Sequence, residues 1–187
     1  EFGGLFPSDP LNANISQGAI FAQYAWEFAQ GSALSVGLRQ DFNSLVNGSV
    51  TSPAVGVKVA VTDSTTLRAN YIRNFRVPTA VELFSPNVFF LGNPNLLPEI
   101  GNSYDVGLDQ KLGDIGLLRF TYFVNEISNL VAFNFAQNTF ENIGQVRATG
   151  VEVALDVQVV PNLFFSANYT NTDPRITADS NPAIVGK

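Results

Sequence analysis

The sequence predicts an all-β protein: one antiparallel, curved sheet of about eight strands, apolar on one face and polar on the other. Three observations predict it. The first is a period-two alternation, clearest in Ser103-Tyr104-Asp105-Val106-Gly107-Leu108-Asp109-Gln110-Lys111-Leu112. Successive side chains of a strand point to opposite faces, so Tyr104, Val106 and Leu108 share one side and Asp105, Asp109 and Lys111 the other. The second is an alternation of short turns and long connections. The third is composition: only 14% of residues are charged, against the usual quarter or so, yet no apolar run approaches the roughly 20 residues of a membrane helix.

The elements follow in order. The first strand, near Gln17–Phe28, is the weakest: Tyr24, Trp26 and Phe28 oppose Gln23 and Glu27, but Phe21 falls on the polar side. The second, Ala33–Phe42, sets Leu34, Val36 and Leu38 against Arg39 and Asp41, with Gln40 an exception on the apolar face. The third, Pro53–Val61, sets four valines against Gly56 and Lys58, and the fourth, Leu67–Phe75, sets Leu67, Ala69 and Tyr71 against Arg68, Asn70 and Asn74. The fifth, Asn102–Leu112, holds the Ser103–Leu112 alternation, with Gln110 a second polar exception. The sixth (Leu117–Ser128), seventh (Asn142–Gln158) and eighth (Leu163–Thr172) repeat the pattern, with Arg119, Glu152 and Asp156 on the polar side. Strand charges are expected on that face throughout. Short turns fall at Ala29–Ser32, Thr62–Thr66, Gly113–Gly116 and Val159–Asn162; the long connections are Asn43–Ser52, Arg76–Gly101, Asn129–Glu141 and the tail from Asp173.

Composition excludes several function classes. A net charge of −6 with ten Lys+Arg argues against nucleic acid as a partner. Without cysteine or histidine there is no thiol chemistry, no zinc cluster and no Ser-His pair, so an enzyme is not expected and no cofactor or metal is assigned. The chain starts Glu1-Phe2-Gly3-Gly4 with no basic and apolar leader, and reads as an internal piece of a longer protein. Alternation alone leaves a membrane barrel, a soluble β-sandwich and a solenoid open. A basic side chain facing mid-bilayer lipid costs about 2–4 kcal/mol, which a segregated charge face avoids.

The connection after the fourth strand is more specific. It contains Phe75-Arg76-Val77-Pro78-Thr79, then Glu82-Leu83, then Gly92-Asn93-Pro94-Asn95-Leu96-Leu97-Pro98-Glu99. Downstream come Ser103-Tyr104-Asp105-Val106-Gly107, Tyr122-Phe123-Val124-Asn125-Glu126-Ile127, Asn142-Ile143-Gly144 and Gly150-Val151-Glu152. In this order the motifs resemble the hallmark of TonB-dependent outer-membrane receptors over residues 16–187, with Leu97 where Lys is usual and Asp105 where Glu is commoner.

The resemblance implies an antiparallel transmembrane β-barrel fragment, an open sheet cut from a larger plugged barrel of about 22 strands. It places the protein in the bacterial outer membrane, with short turns periplasmic. The implied activity is uptake of a scarce nutrient, a ferric siderophore, haem or cobalamin, powered by TonB. The implied partners are membrane lipid, that metal-chelate or cobalamin-like ligand, the protein's own plug, and TonB through an N-terminal segment. Neither plug nor terminal barrel strands are contained in residues 1–187. A passive porin and a secreted β-sandwich binding protein are the alternatives. The motif residues Phe75, Arg76, Pro78, Thr79, Glu82, Leu83, Asn93, Pro94, Leu96, Pro98, Glu99, Gly150 and Glu152 are expected to act structurally. Arg76 is expected to pair with Glu82 or Glu99, the prolines to stiffen the loop, and Gly92-Asn93 to form a tight turn. Candidate ligand contacts are Phe84, Phe89, Phe90, Phe133, Phe135 and Phe140, as stacking surfaces. The polar-face charges Arg39, Lys58, Arg68, Arg119, Glu152 and Asp156 are expected to hydrate the lumen or meet the plug. Asp173, Asp179 and Asn181 carry oxygen donors of the kind Ca²⁺ takes, but read first as a solvated loop.

Overall fold

The computed structural model describes residues 14–45, 48–179, 183 and 185–186. Eight strands are present: β1 (Gln17–Ala29), β2 (Ser32–Asn43), β3 (Ser49–Ala60), β4 (Thr65–Arg76), β5 (Glu99–Lys111), β6 (Gly116–Asn134), β7 (Thr139–Val160) and β8 (Leu163–Ala178), with a five-residue helix α1 (Ala80–Phe84) after β4. They form one antiparallel sheet in sequence order, with β1 and β8 at its edges. A sandwich would need a second sheet over the apolar face. Here Leu67, Tyr104, Val106, Phe120, Tyr122 and Tyr169 share that face and each is more than 40% exposed. Among the described residues, the buried large apolar side chains are Leu83 and Leu96, both in the β4–β5 connection rather than on the sheet. A single layer of this kind is stable only when lipid takes the place of a core.

Short turns carry the expected chemistry: Gly31 (φ 70°) and Gly113 (φ 60°) occupy the left-handed region that glycine tolerates. The two glutamines on the apolar face are satisfied across strands. Gln40 Oε1 accepts from Thr51 Oγ1 at 2.6 Å, and Gln110 Oε1 from Thr65 Oγ1 at 2.7 Å. The connection expected over Asn129–Glu141 is instead hairpin, since β6 and β7 stay paired from Leu130↔Ile143 to Asn134↔Thr139, leaving only Phe135–Asn138 as turn. Asn129 (φ 58°) lies between the Ser128↔Gln145 and Leu130↔Ile143 pairs, alongside Gly144 (φ 20°). This kink interrupts the alternation without ending the ladder.

The luminal face is a network. Arg68 reaches Asp109 at 3.0 Å and Asp105 at 3.5 Å and donates to Thr121, while Asn70 donates to Asp105 at 2.9 Å. Arg119 pairs with Asp156, which also accepts from Ser166 at 2.7 Å. Glycines make room beneath these groups. A Cβ at Gly107 would lie 2.6 Å from the Arg68 guanidinium carbon, whereas one at Gly150 would meet the Asn171 carbonyl and the Phe123 ring. Gly107→Ala is therefore expected to cost under about 1 kcal/mol, because Arg68 can swing aside. Gly150→Ala must move backbone and is expected to cost about 1–3 kcal/mol. Thermal midpoints of the two variants should differ in that order.

The expectation that every strand charge faces the lumen is overturned. Arg73 shares its parity with Leu67, Ala69 and Tyr71; Glu126 with Phe120, Tyr122 and Val124; Arg147 with Val151 and Val153; Arg175 with Tyr169. All four face outward, as does Asp173 in β8: Arg73 and Arg175 lie near the long-loop ends of β4 and β8, and Glu126 and Arg147 stand at mid-length of the longer β6 and β7, ten and thirteen residues from their short-turn ends. The cost of an outward charge falls from about 2–4 kcal/mol at the midplane to 0–1 near the interface, so charge is tolerated there and not lower.

Candidate functional site

The β4–β5 connection folds onto itself through one guanidinium. Arg76, the last residue of β4, donates Nε and Nη2 to Glu99 at 2.8 and 2.7 Å. Its Nη1 donates to both oxygens of Glu82, at 3.0 and 3.2 Å. The expected pairing with one of two glutamates is a clamp on both. Each carboxylate has a further donor: Thr79 N to Glu82 at 2.7 Å and Val131 N to Glu99 at 2.8 Å. Thr79 caps α1 and accepts from Glu82 N, completing a reciprocal capping box. Pro78 and Leu83 are fully buried, and Leu96 is also buried.

Burial, the largest influence on Glu82, pushes its carboxyl up; hydrogen bonds from Arg76 and Thr79 outweigh it and hold the group below its ordinary value. A carboxyl depressed in the folded state stabilises at neutral pH and loses that contribution as pH falls through its folded value. The loop is therefore expected to keep its protection at pH 7 and lose it below about pH 4, read by amide exchange over residues 79–99.

The tight turn expected at Gly92-Asn93 falls instead at Pro94-Asn95, closed by Leu96 N donating to Asn93 O at 3.3 Å, and Gly92 and Asn93 have another role. Gly92 N donates to Ser85 O at 2.9 Å and Asn93 N to Glu82 O at 2.8 Å, which seats this segment on the end of α1. A Cβ on Gly92 would lie 2.5 Å from Ser85 N and 2.6 Å from Phe84 N. Close backbone approach is what requires glycine here. Asn93 then accepts from Asn95 N and donates to Phe140 O, both at about 3 Å. Asn142, singled out only as part of an Asn-x-Gly motif, closes the assembly. Its side chain accepts from Leu97 N at 2.9 Å and donates to Leu97 O and Asn129 O.

The six candidate phenylalanines fall in two groups at this rim. Phe133 lies edge-on to Phe135 and Phe140 at 5.0 and 5.2 Å between ring centres, with Phe135 84% exposed. Phe84, Phe89 and Phe90 are exposed on the connection. The groups are tied together: Leu91 N donates to Asn138 O at 2.8 Å, and Thr139 Oγ1 to Leu91 O at 3.0 Å. Gly150 and Glu152 stand apart on the β7 wall, with Glu152 in register between Thr121 and Thr170. Among the described residues no group of three or more acidic side chains is placed to hold a metal ion. Asp173 pairs with Arg175 at 2.9 Å, and Asn181 lies outside the described residues.

The family model described as "TonB dependent receptor-like, beta-barrel" matches residues 1–187. The chain belongs to this family. TonB-dependent receptor barrels are proteins of the bacterial outer membrane, which accounts for the exposed apolar face. The ferric enterobactin receptor of Pseudomonas aeruginosa is 24% identical over 206 residues, covering 91% of this chain and 27% of that protein. Among solved structures, the siderophore receptor PirA from Pseudomonas aeruginosa superposes with a TM-score of 0.77 at 24% identity, over 88% of this chain and 32% of that one. The copper transporter OprC superposes at 0.69 and 20% identity, over 86% of this chain and 29% of that one. These likenesses show the fold. The chain spans about a quarter to a third of the length of the relatives it matches.

Proposed function

We propose that residues 1–187 form part of the barrel domain of an outer-membrane receptor that takes up a scarce nutrient of the ferric siderophore class, with energy from TonB. The rest of the barrel, a plug and the TonB-contacting segment would lie in parts of the protein outside this sequence. The observation that carries the reading is the match to a ferric enterobactin receptor across 91% of this chain. The rim chemistry is consistent with it: two groups of phenylalanines, joined by backbone bonds and with Phe84, Phe89, Phe90 and Phe135 exposed, offer flat apolar faces to an aromatic chelate. The Arg76–Glu82–Glu99 clamp holds the segment that presents Phe84, Phe89 and Phe90, so these contacts are pre-set. No catalytic step is assigned; relatives with this barrel are receptors.

The test is uptake of radioactive iron, supplied as a catecholate siderophore complex, by iron-limited cells whose sole such receptor is the full-length protein. The expected result is saturable uptake abolished by deleting TonB. Uptake that persists without TonB would establish a passive channel instead, and no uptake of any ferric chelate would remove the siderophore class.

A further inference from the structure

The two long-loop segments that meet at the rim, residues 77–98 and 129–144, contain no lysine or arginine, in a chain with ten basic residues in all. The Asn43–Ser52 connection contains none either. The same two segments carry the six rim phenylalanines together with Glu82 and Glu141. Phe84, Val88, Phe89, Phe90, Leu91 and Phe135 are each more than 40% exposed there. The rim is therefore rich in aromatic and apolar surface and poor in cations.

The two guanidiniums that reach the upper lumen are already held by carboxylates. Arg39 and Arg76 line one cleft of about 450 Å³ with Gln17, Asn43 and Phe75. Arg39 donates Nε and Nη2 to Asp41, both at 2.8 Å. Arg76 is divided between Glu82 and Glu99, so that clamp keeps one negative charge. Glu141 adds a second: it accepts from Asn134 Nδ2 at 3.0 Å and has no ion-pair partner among the described residues. Arg73, Arg147 and Arg175 face outward, where a cargo entering through the lumen does not meet them.

Charge decides which cargo such a rim suits. Ferric iron held by three catecholates is a trianion; held by three hydroxamates it is neutral. At a rim whose own charge is negative, a trianion meets repulsion and sheds hydration with no free cation to replace it. A neutral chelate meets neither cost, and aromatic groups on it gain by stacking on the phenylalanines. The rim amides add little to either, because Asn93 and Asn142 are committed to backbone groups of the rim itself.

We propose that this section of the rim selects an uncharged ferric chelate bearing aromatic groups over an anionic one of the same size. Phe89, Phe90 and Phe135 supply the contacts, and Glu141 disfavours the anion. The proposal rests on the receptor reading above and narrows its cargo. Saturable uptake of a catecholate complex is compatible with it, since the selection is one of relative affinity.

The test uses the full-length receptor purified in detergent, with binding measured by titration calorimetry at low and at physiological salt. The probes are ferric complexes of one tripodal scaffold carrying either three catecholamides or three N-phenylhydroxamates. Both are aromatic and similar in size; the first is trianionic and the second neutral. Wild type is expected to bind the neutral complex at least tenfold more tightly at low salt, with the ratio narrowing as salt screens the repulsion. Glu141→Gln, whose amide oxygen still accepts from Asn134, is expected to narrow the low-salt ratio at least threefold. Phe135→Ala is expected to weaken the neutral complex at least fivefold, and heat-modifiable gel mobility checks that both variants are folded. If either misfolds, the wild-type ratio and its salt dependence decide alone. Equal affinities, tighter binding of the trianion, or an unchanged ratio in folded Glu141→Gln would overturn the proposal. Binding of neither complex would remove the receptor reading itself, whereas binding of both without that preference removes this proposal alone.

Discussion

Arg76→Ala, made in the full-length receptor, is expected to lower barrel assembly and stability more than ligand affinity. The side chain holds two carboxylates that are only 16% and 12% exposed, while Arg76 itself is 42% exposed. Exposed pairs contribute below about 1 kcal/mol and broken buried pairs cost about 3–5, so a clamp at this depth is expected to cost about 2 kcal/mol. Most of that comes from leaving Glu82 and Glu99 facing each other without a cation. The readout is the temperature at which heat-modifiable mobility is lost, alongside a siderophore binding curve. Normal mobility with binding abolished would reverse the assignment and make Arg76 a ligand contact.

Gly92→Val is expected to have the other large effect. The added atoms collide with backbone nitrogens of Phe84 and Ser85, which cannot rotate away as a side chain can. Relief requires α1 to leave its seat, which breaks Gly92 N to Ser85 O and Asn93 N to Glu82 O and weakens the Arg76 clamp from its far side. Overpacking of this kind costs about 1–3 kcal/mol, and here it falls on one loop. The expected signature is selective proteolysis between Val77 and Pro98 with the barrel intact. A protease-resistant loop in Gly92→Val would show that the close approach is not needed.

How much of this was legible in the sequence depends on the distance over which each feature is encoded. Alternation is local, and it placed all eight strands because a strand reports its faces two residues at a time. The Arg76 pairing was legible because motif residues of opposite charge sat at the ends of one connection. Two features were hidden for different reasons. The paired extension beyond Asn129 was lost because positive-φ positions at Asn129 and Gly144 break the period without breaking the ladder. Arg73, Arg147 and Arg175 break the alternation by standing among apolar side chains, and what makes that tolerable is their height along each strand. Face alone does not give that; register between strands does. The convergence of Phe90 and Phe140 rests on a Leu91–Thr139 contact between segments nearly fifty residues apart, and no local pattern announces it. Asn142 is intermediate, since its motif was visible and its three partners were not.

The central claim is that these eight strands are one section of a larger outer-membrane barrel. Spin labels on Tyr24→Cys in β1 and Tyr169→Cys in β8 of the full-length receptor test it by pulsed dipolar spectroscopy. Both positions face outward at similar heights, seven strand spacings apart along the sheet. In a barrel of about 22 strands they should be on the order of 30–40 Å apart. A distance below about 15 Å would mean that β1 pairs with β8 in a self-closed barrel, and would contradict the account.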